Sequence, residues 1–329
     1  IYSIFSYVSK KDKYYRNFKM SNNSGGVKRL EEKLRLSIER NDLYEAHQLY
    51  NTLFYRYSAK NKHDLARNLL YKGALHLFEH EETGSAAHLC LLYLESLENN
   101  VHEVTTELAE ILGKMHHELP KEIPELETFE NRAITWSAGC TGMPRFGSKD
   151  LRFKFAMNYW EEKMFRDSRQ HFLYSDDGQK FGEMLKEFVI LCGRPEEIDL
   201  FLTQAVLQLL CIKCEKAAED MFNTYTKIIS KISPGPPYNY PIINFLFFLL
   251  RAVKERRLIL FTILCDNYQP SLKKDASFLK YLEKIGEIYF DVPAVQSKPG
   301  FFENLMQNLF VNDDSDVTEG SKGQGSNLD

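Results

Sequence analysis

From Val27 to about residue 290, apolar residues return every three or four positions, and little interrupts them. The stretch "NDLYEAHQLYNTLFYRY", residues 41–57, shows the pattern. A polar turn opens it, Ala46 supplies a small side chain, and Leu43, Tyr50, Leu53, Phe54 and Tyr57 follow at helical spacing. With only 17 Gly and 11 Pro in 329 residues, the chain has too few punctuators for many short strands.

The same turn recurs in "KHDLARNLL", "FRDSRQHFL" and "CEKAAEDMF", with Ala66, Ser168 and Ala217 as the small residues. A small residue lets neighbouring helices approach closely. The spacing of these units is irregular, so they read as a degenerate relative of the tetratricopeptide pattern. The expected fold is all-α: a right-handed α-solenoid of antiparallel helix pairs over 27–290, with room for one short β-hairpin near 232–241. Helices are expected at 41–57, 62–80, 85–97, 101–117, 122–137, 149–162, 164–174, 179–191, 195–212, 214–231, 242–254, 256–267 and 271–290, with Asn41 or Asp42 capping the first of these.

The ends read differently. Residues 1–26 form a leader, expected to be disordered, in which 1–19 look like upstream translation or a fragment scar before Met20. A linker and a short amphipathic helix, "FFENLMQNLF", occupy 291–310, and 311–329 have the composition of a disordered acidic tail. Net charge is −4, without the basic stripe of a nucleic-acid binder. The longest apolar run, "PIINFLFFLLRAV" at 241–253, is too short to span a bilayer. Six scattered cysteines, mostly in apolar helical runs, indicate a reducing compartment.

Chemistry is hard to find. Cys211-x-x-Cys214 is half a zinc site without its second pair. His76 and His80 share a helix face but lack a third ligand, and "HHELP" lacks the second histidine of a zinc-protease motif. The loop ending Gly147-Ser148-Lys149 has the wrong order for a phosphate loop. The chain therefore reads as a non-enzyme without cofactor or metal. The run Phe245–Leu250 reads either as a buried helix or, behind the proline-rich loop 230–241, as a groove and flap gripping a partner.

Taken in order, "YEAHQLYNTLFYRY" (44–57), "GSAAHLCLLYLES" (84–96), "SRQHFLYSDDG" (168–178), "AVLQLLCIK" (205–213), "GPPYNYPIINFLFFLLRAV" (235–253), "LILFTILCDNYQPSLKKD" (258–275) and "IYFDVPAVQ" (288–296) resemble the Golgi-to-ER traffic protein 4 family, the 35-kDa subunit of the transmembrane-domain recognition complex. The resemblance implies a cytosolic adaptor in the delivery of tail-anchored membrane proteins. Its partners would be a targeting ATPase, a ubiquitin-like protein and a BAG-domain scaffold, with neither nucleic acid nor direct membrane insertion.

By resemblance, His47, Gln48, Arg56, Lys60 and His88 face the ATPase, although the family commonly has an acid where this chain has His88. The ubiquitin-like partner would meet Pro236, Pro237, Tyr238, Tyr240, Phe245 and Phe248. The competing class is a helical-repeat scaffold subunit of another complex, of proteasome-lid or COP9 type. Such subunits end in a winged-helix module with strands, a signal that 256–310 lacks.

Overall fold

The computed structural model describes residues 25–194 and 196–292. Its fifteen described helices are α1 (Gly25–Glu39), α2 (Leu43–Ser58), α3 (His63–Glu79), α4 (Thr83–Asn100), α5 (Thr106–Glu118), α6 (Pro124–Gly139), α7 (Lys149–Glu161), α8 (Phe165–Phe172), α9 (Gly178–Leu191), α10 (Ile198–Cys211), α11 (Glu215–Ile228), α12 (Pro241–Glu255), α13 (Leu258–Asn267), α14 (Gln269–Leu272) and α15 (Ala276–Phe290). The chain divides into two compact units, one running to Asn158 and the other starting at Tyr159. In the first, successive helices α1 to α4 pack pairwise, α5 lies on α3, and α6 lies on α4. In the second, α9 packs against α11, and α10 packs against α11, α12 and α15. Each unit is a stack of helix pairs, the all-α solenoid architecture expected from the sequence.

One turn builds much of both units. Asn41, Asn61, Glu81, Lys163, Lys213 and Arg256 all adopt the left-handed conformation, with φ between 54° and 64°. After each, the next N–H reaches back five residues to a helix carbonyl: Asp42 to Ser37 at 2.9 Å, Lys62 to Tyr57 at 2.9 Å, Glu82 to Leu77 at 3.0 Å, Met164 to Tyr159 at 2.9 Å, Cys214 to Leu209 at 2.9 Å, and Arg257 to Ala252 at 3.0 Å. This is the Schellman closure, which satisfies carbonyls orphaned at a helix end. The following helix starts at once, and its fourth residue is buried: Ala46, Ala66, Ala86, Ser168 and Ala218 fill that position in five cases, and Phe261 fills it after Arg256. The first three are twenty residues apart, a regularity that the irregular-spacing reading missed. Ala218 lies one residue beyond the expected Ala217, which is also buried.

Several boundaries differ from expectation, the largest shift being at α5, expected from 101 but starting at Thr106, where the Thr105 hydroxyl caps it by accepting from Leu108 N at 3.2 Å. Helix α1 is described from Gly25, two residues before the expected start, which is within the normal uncertainty of helix ends. The helix expected over 271–290 is divided at Lys273–Asp275, because the Asp275 carboxylate caps α15 by accepting from Ser277 N at 2.8 Å. The β-hairpin considered near 232–241 does not form, and among the described residues there is no strand. Pro234, Pro236 and Pro237 have no N–H to place in a ladder. Asparagine side chains take its place. Asn239 Oδ1 accepts from Ser233 N at 3.0 Å and its Nδ2 donates to Lys231 O at 2.8 Å. The expected linker, amphipathic helix and acidic tail lie outside the described residues from 293 onward, as does the leader before Gly25.

Candidate partner-binding surfaces

In the first unit, the five residues expected on one face fall on two flanks. The stripe Ala46, Leu49, Tyr50, Leu53, Phe54 and Tyr57 buries α2. His47 and Arg56 are nine residues apart, about two and a half helical turns, and so leave α2 on opposite sides of that stripe. His47 extends toward α4, where its Nε2 lies 3.1 Å from His88 Nδ1 and the two rings meet edge to face at 5.2 Å. Gln48 is exposed beside it. Arg56 lies instead along α1, its Nη1 3.5 Å from where a Cβ would sit on Gly26. Lys60 is exposed in the turn past the end of α2.

At that distance one ring nitrogen donates and the other accepts, and protonating the accepting nitrogen removes the hydrogen bond. His47 is held below its ordinary value of 6.5, first by burial and then by the charge of His88, with Glu82 opposing. A folded-state value below the unfolded one means that the contribution is fully present above pH 6.5 and is lost as pH falls through the folded value. Acidification from neutrality toward pH 5 is therefore expected to lower the denaturation midpoint of the first unit. His47→Asn should flatten that part of the profile in urea titrations run at each pH. Equal slopes for the two proteins would remove this pair from the pH response.

In the second unit, the loop before α12 is folded down rather than extended. The Tyr238 ring meets Phe222 edge-on at 5.7 Å and Phe247 at 6.3 Å. Asn244 staples the loop from inside α12: its Oδ1 accepts from Tyr238 N at 2.8 Å, and its Nδ2 donates to Tyr238 O at 2.8 Å and to Tyr240 O at 3.2 Å. Pro236 and Pro237 are exposed on top, while Tyr238 and Tyr240 are half-buried.

Of the two readings of the run Phe245–Leu250, the buried helix accounts for most of it. Ile242, Ile243, Phe245, Leu246 and Leu249 are fully buried. Phe245 therefore leaves the expected partner surface: it is a core residue whose ring packs 5.7 Å from Tyr268. Neighbours α10, α11, α13 and α14 cover α12 on more than one face, so the apolar residues that one face could not hide are hidden by several. What remains outside is Phe248, 37% exposed. Two residues missed by the sequence reading accompany it on α13, Ile259 at 65% and Ile263 at 46% exposure. They are four apart and so share a helix face. The signal was present in "LILFTILC", which is apolar on every side of a short helix.

The motifs set aside on sequence grounds have ordinary partners. The Cys211 thiol donates to Tyr281 O at 3.5 Å, and burial pushes its pKa up to about 11, so it is not a ready ligand. His80 Nδ1 donates to the carbonyl of His76 at 2.9 Å. Among the described residues, no group of three or more His, Cys, Asp or Glu could hold a metal ion. No described helix is long and apolar enough to cross a membrane.

The sequence model of a family described as Golgi to ER traffic protein 4 matches residues 60–310. A Golgi to ER traffic protein 4 homolog from Xenopus tropicalis is 45% identical over 303 residues, covering 91% of this chain and 93% of the relative. The Homo sapiens homolog is 43% identical over 309 residues, covering 93% and 94%. In structure, the chain is similar to a crystal structure of Get4 from C. therm., with a TM-score of 0.73 and 21% identity, covering 91% of this chain and all of the other.

Proposed function

The chain belongs to the Golgi to ER traffic protein 4 family, and from that premise we propose that it is a non-enzymatic adaptor in the post-translational delivery of tail-anchored membrane proteins to the endoplasmic reticulum. It works in the cytosol and bridges a ubiquitin-like subunit and a BAG-type scaffold to the targeting ATPase. The observation that carries this reading is the reach of the similarity, 93% of the relative's own length at 45% identity. The exposed polar residues of the first unit and the exposed apolar residues of the second support this reading.

The ATPase-facing surface lies in the first unit. His47, Gln48 and His88 form one contact, and Arg56 with Lys60 forms a second around the flank of α2. Rim charges of this kind govern association rate and salt sensitivity more than final affinity. The ubiquitin-like partner lies against the second unit, over Pro236, Pro237, Tyr238, Tyr240 and Phe248, and its apolar segment continues onto Ile259 and Ile263. Exposed isoleucines and a phenylalanine on adjacent packed helices supply the hydrophobic anchor that a stable interface requires.

Ile259→Glu tests this reading without disturbing the core, because Ile259 is 65% exposed. The free chain should keep its melting temperature, since surface substitutions usually change stability by less than about 0.5 kcal/mol. Affinity for the co-purified ubiquitin-like subunit should fall roughly tenfold or more, because a buried unpaired carboxylate costs upward of about 1.4 kcal/mol. Unchanged affinity, measured by calorimetry, would take α13 out of the interface. Failure to recover any ubiquitin-like protein on pull-down from cytosol would remove the adaptor reading itself.

A further inference from the structure

Helix α13 is apolar on two sides, and the described fold uses one. Phe261 is fully buried and stacks on Phe290 of α15, with ring centroids 4.7 Å apart. Ile259 and Ile263 stand two residues to either side of Phe261, so they leave the helix on its far side, where both are exposed. The described chain ends beside this helix. Asp291 takes the left-handed conformation, and Val292 N then donates back to Gly286 O at 3.2 Å. A Cβ built on Gly286 would lie 3.7 Å from Phe261 Cε1 and 3.7 Å from Val292 Cβ, so residue 293 starts next to α13.

The sequence that follows has the length and the pattern to cover the open side. Residues 293–300 link Val292 to "FFENLMQNLF". Fully extended, those eight residues span about 26–29 Å. Half the circumference of a helix 10–12 Å wide is roughly 16–19 Å, so the linker can carry the chain round α13. Beyond it, Phe301, Phe302, Leu305, Met306, Leu309 and Phe310 fall at the spacing of one helical stripe, with Glu303, Asn304, Gln307 and Asn308 opposite. A helix this short is marginal in water by itself and gains most of its stability from the surface it packs on. A second copy of the chain is a poorer occupant. A stable interface buries about 800 Å² on each partner, and two isoleucines offer a small part of that. A tethered segment needs far less area, because its effective concentration is on the order of millimolar.

We propose that residues 301–310 dock as a helix on the outer side of α13, with their apolar stripe over Ile259 and Ile263, and so form a cover built into the chain. The cover lies outside the core of the second unit, and its release leaves that core intact. The contact does not rest on the adaptor reading. On that reading, the ubiquitin-like subunit reaches α13 by displacing the chain's own segment.

Photo-cross-linking of the purified full-length chain, with benzoylphenylalanine in place of Ile263, tests the contact. Products are read by residue-level mass spectrometry at several protein concentrations. The expected product joins position 263 to residues 301–310 of the same chain, at a yield that dilution leaves unchanged. Phe302→Glu together with Leu305→Glu should lower that yield several-fold at unchanged melting temperature. Three results overturn the proposal: no product with 301–310, a product that joins two copies and fades on dilution, or a yield indifferent to the double change. The last would mean that the short linker alone brings the segment near. The ubiquitin-like subunit is absent from this measurement, so any of these failures leaves the adaptor reading standing.

Discussion

Alanine at position 178 is expected to lower the melting temperature of the second unit by roughly 6–12 °C, from an overpacking cost of about 3 kcal/mol. Gly178 opens α9 directly against α11. A Cβ built there would lie 1.9 Å from the Ala217 carbonyl oxygen and 2.7 Å from its carbon. Those are backbone atoms of a helix, which cannot swing aside as the end of a side chain can. The other side is also held, because the Asp177 carboxylate accepts from Lys180 N at 2.8 Å and pins the start of α9. Gly182, one turn on, repeats the close approach, with a built Cβ 3.2 Å from Thr224 Cβ and 3.3 Å from Met221 O. The matched control is Gly84→Ala in the first turn of α4, where a Cβ would meet nothing within 4 Å. That change should be neutral or stabilising by up to about 1 kcal/mol, since alanine restricts the unfolded chain and favours helix. Thermal melts of the two variants side by side give the readout. Equal melting temperatures would mean that α9 and α11 have slack that their backbone spacing does not show.

His116→Ala should be nearly as costly, about 3 kcal/mol, while His117→Ala should cost little. His116 is wholly buried in the first unit, and its ring stacks on Phe155 at 4.3 Å. Asn158 Nδ2 donates both to His116 Nδ1, at 2.9 Å, and to the Gly113 carbonyl, at 2.8 Å. Nδ1 is therefore the acceptor and the proton sits on Nε2, which faces Glu130 Oε1 at 2.6 Å. Truncation to alanine opens a cavity against Phe155 and removes two hydrogen bonds in one step. His117 points to solvent. Denaturant midpoints at fixed pH compare the two, and a small loss at His116 would show that the surrounding helices close over the gap.

Those adjacent histidines illustrate the limit of reading a sequence. Helical periodicity over α5 was plain, yet the residues "HH" carry no mark of which one faces inward. Similar limits applied elsewhere. The turns at Asn41 and Asn61 announce themselves, because asparagine tolerates the left-handed conformation. Glu81, Lys213 and Arg256 adopt the same conformation with no favourable residue type, so the repeat was visible only in part. Arg56 and His47 belonged to one quoted segment and were read as one face, though nine residues of helix separate their directions.

What the sequence determined by itself was local, or was spread over the whole chain. The scarcity of glycine and proline and the return of apolar residues every three or four positions led to an all-α fold. Caps such as Asp42 act through their immediate neighbours, as its 2.9 Å bond from Glu45 N shows. The ordered segments from 44 to 296 led to the family. The tertiary structure alone decided how many faces of each helix are covered. In α12 several neighbours close over Phe245 and leave Phe248 outside, and in α13 fewer neighbours leave Ile259 and Ile263 in water. The periodicity of one helix states which residues share a side. Which sides are hidden depends on helices distant in sequence, and burial is a property of the assembled stack.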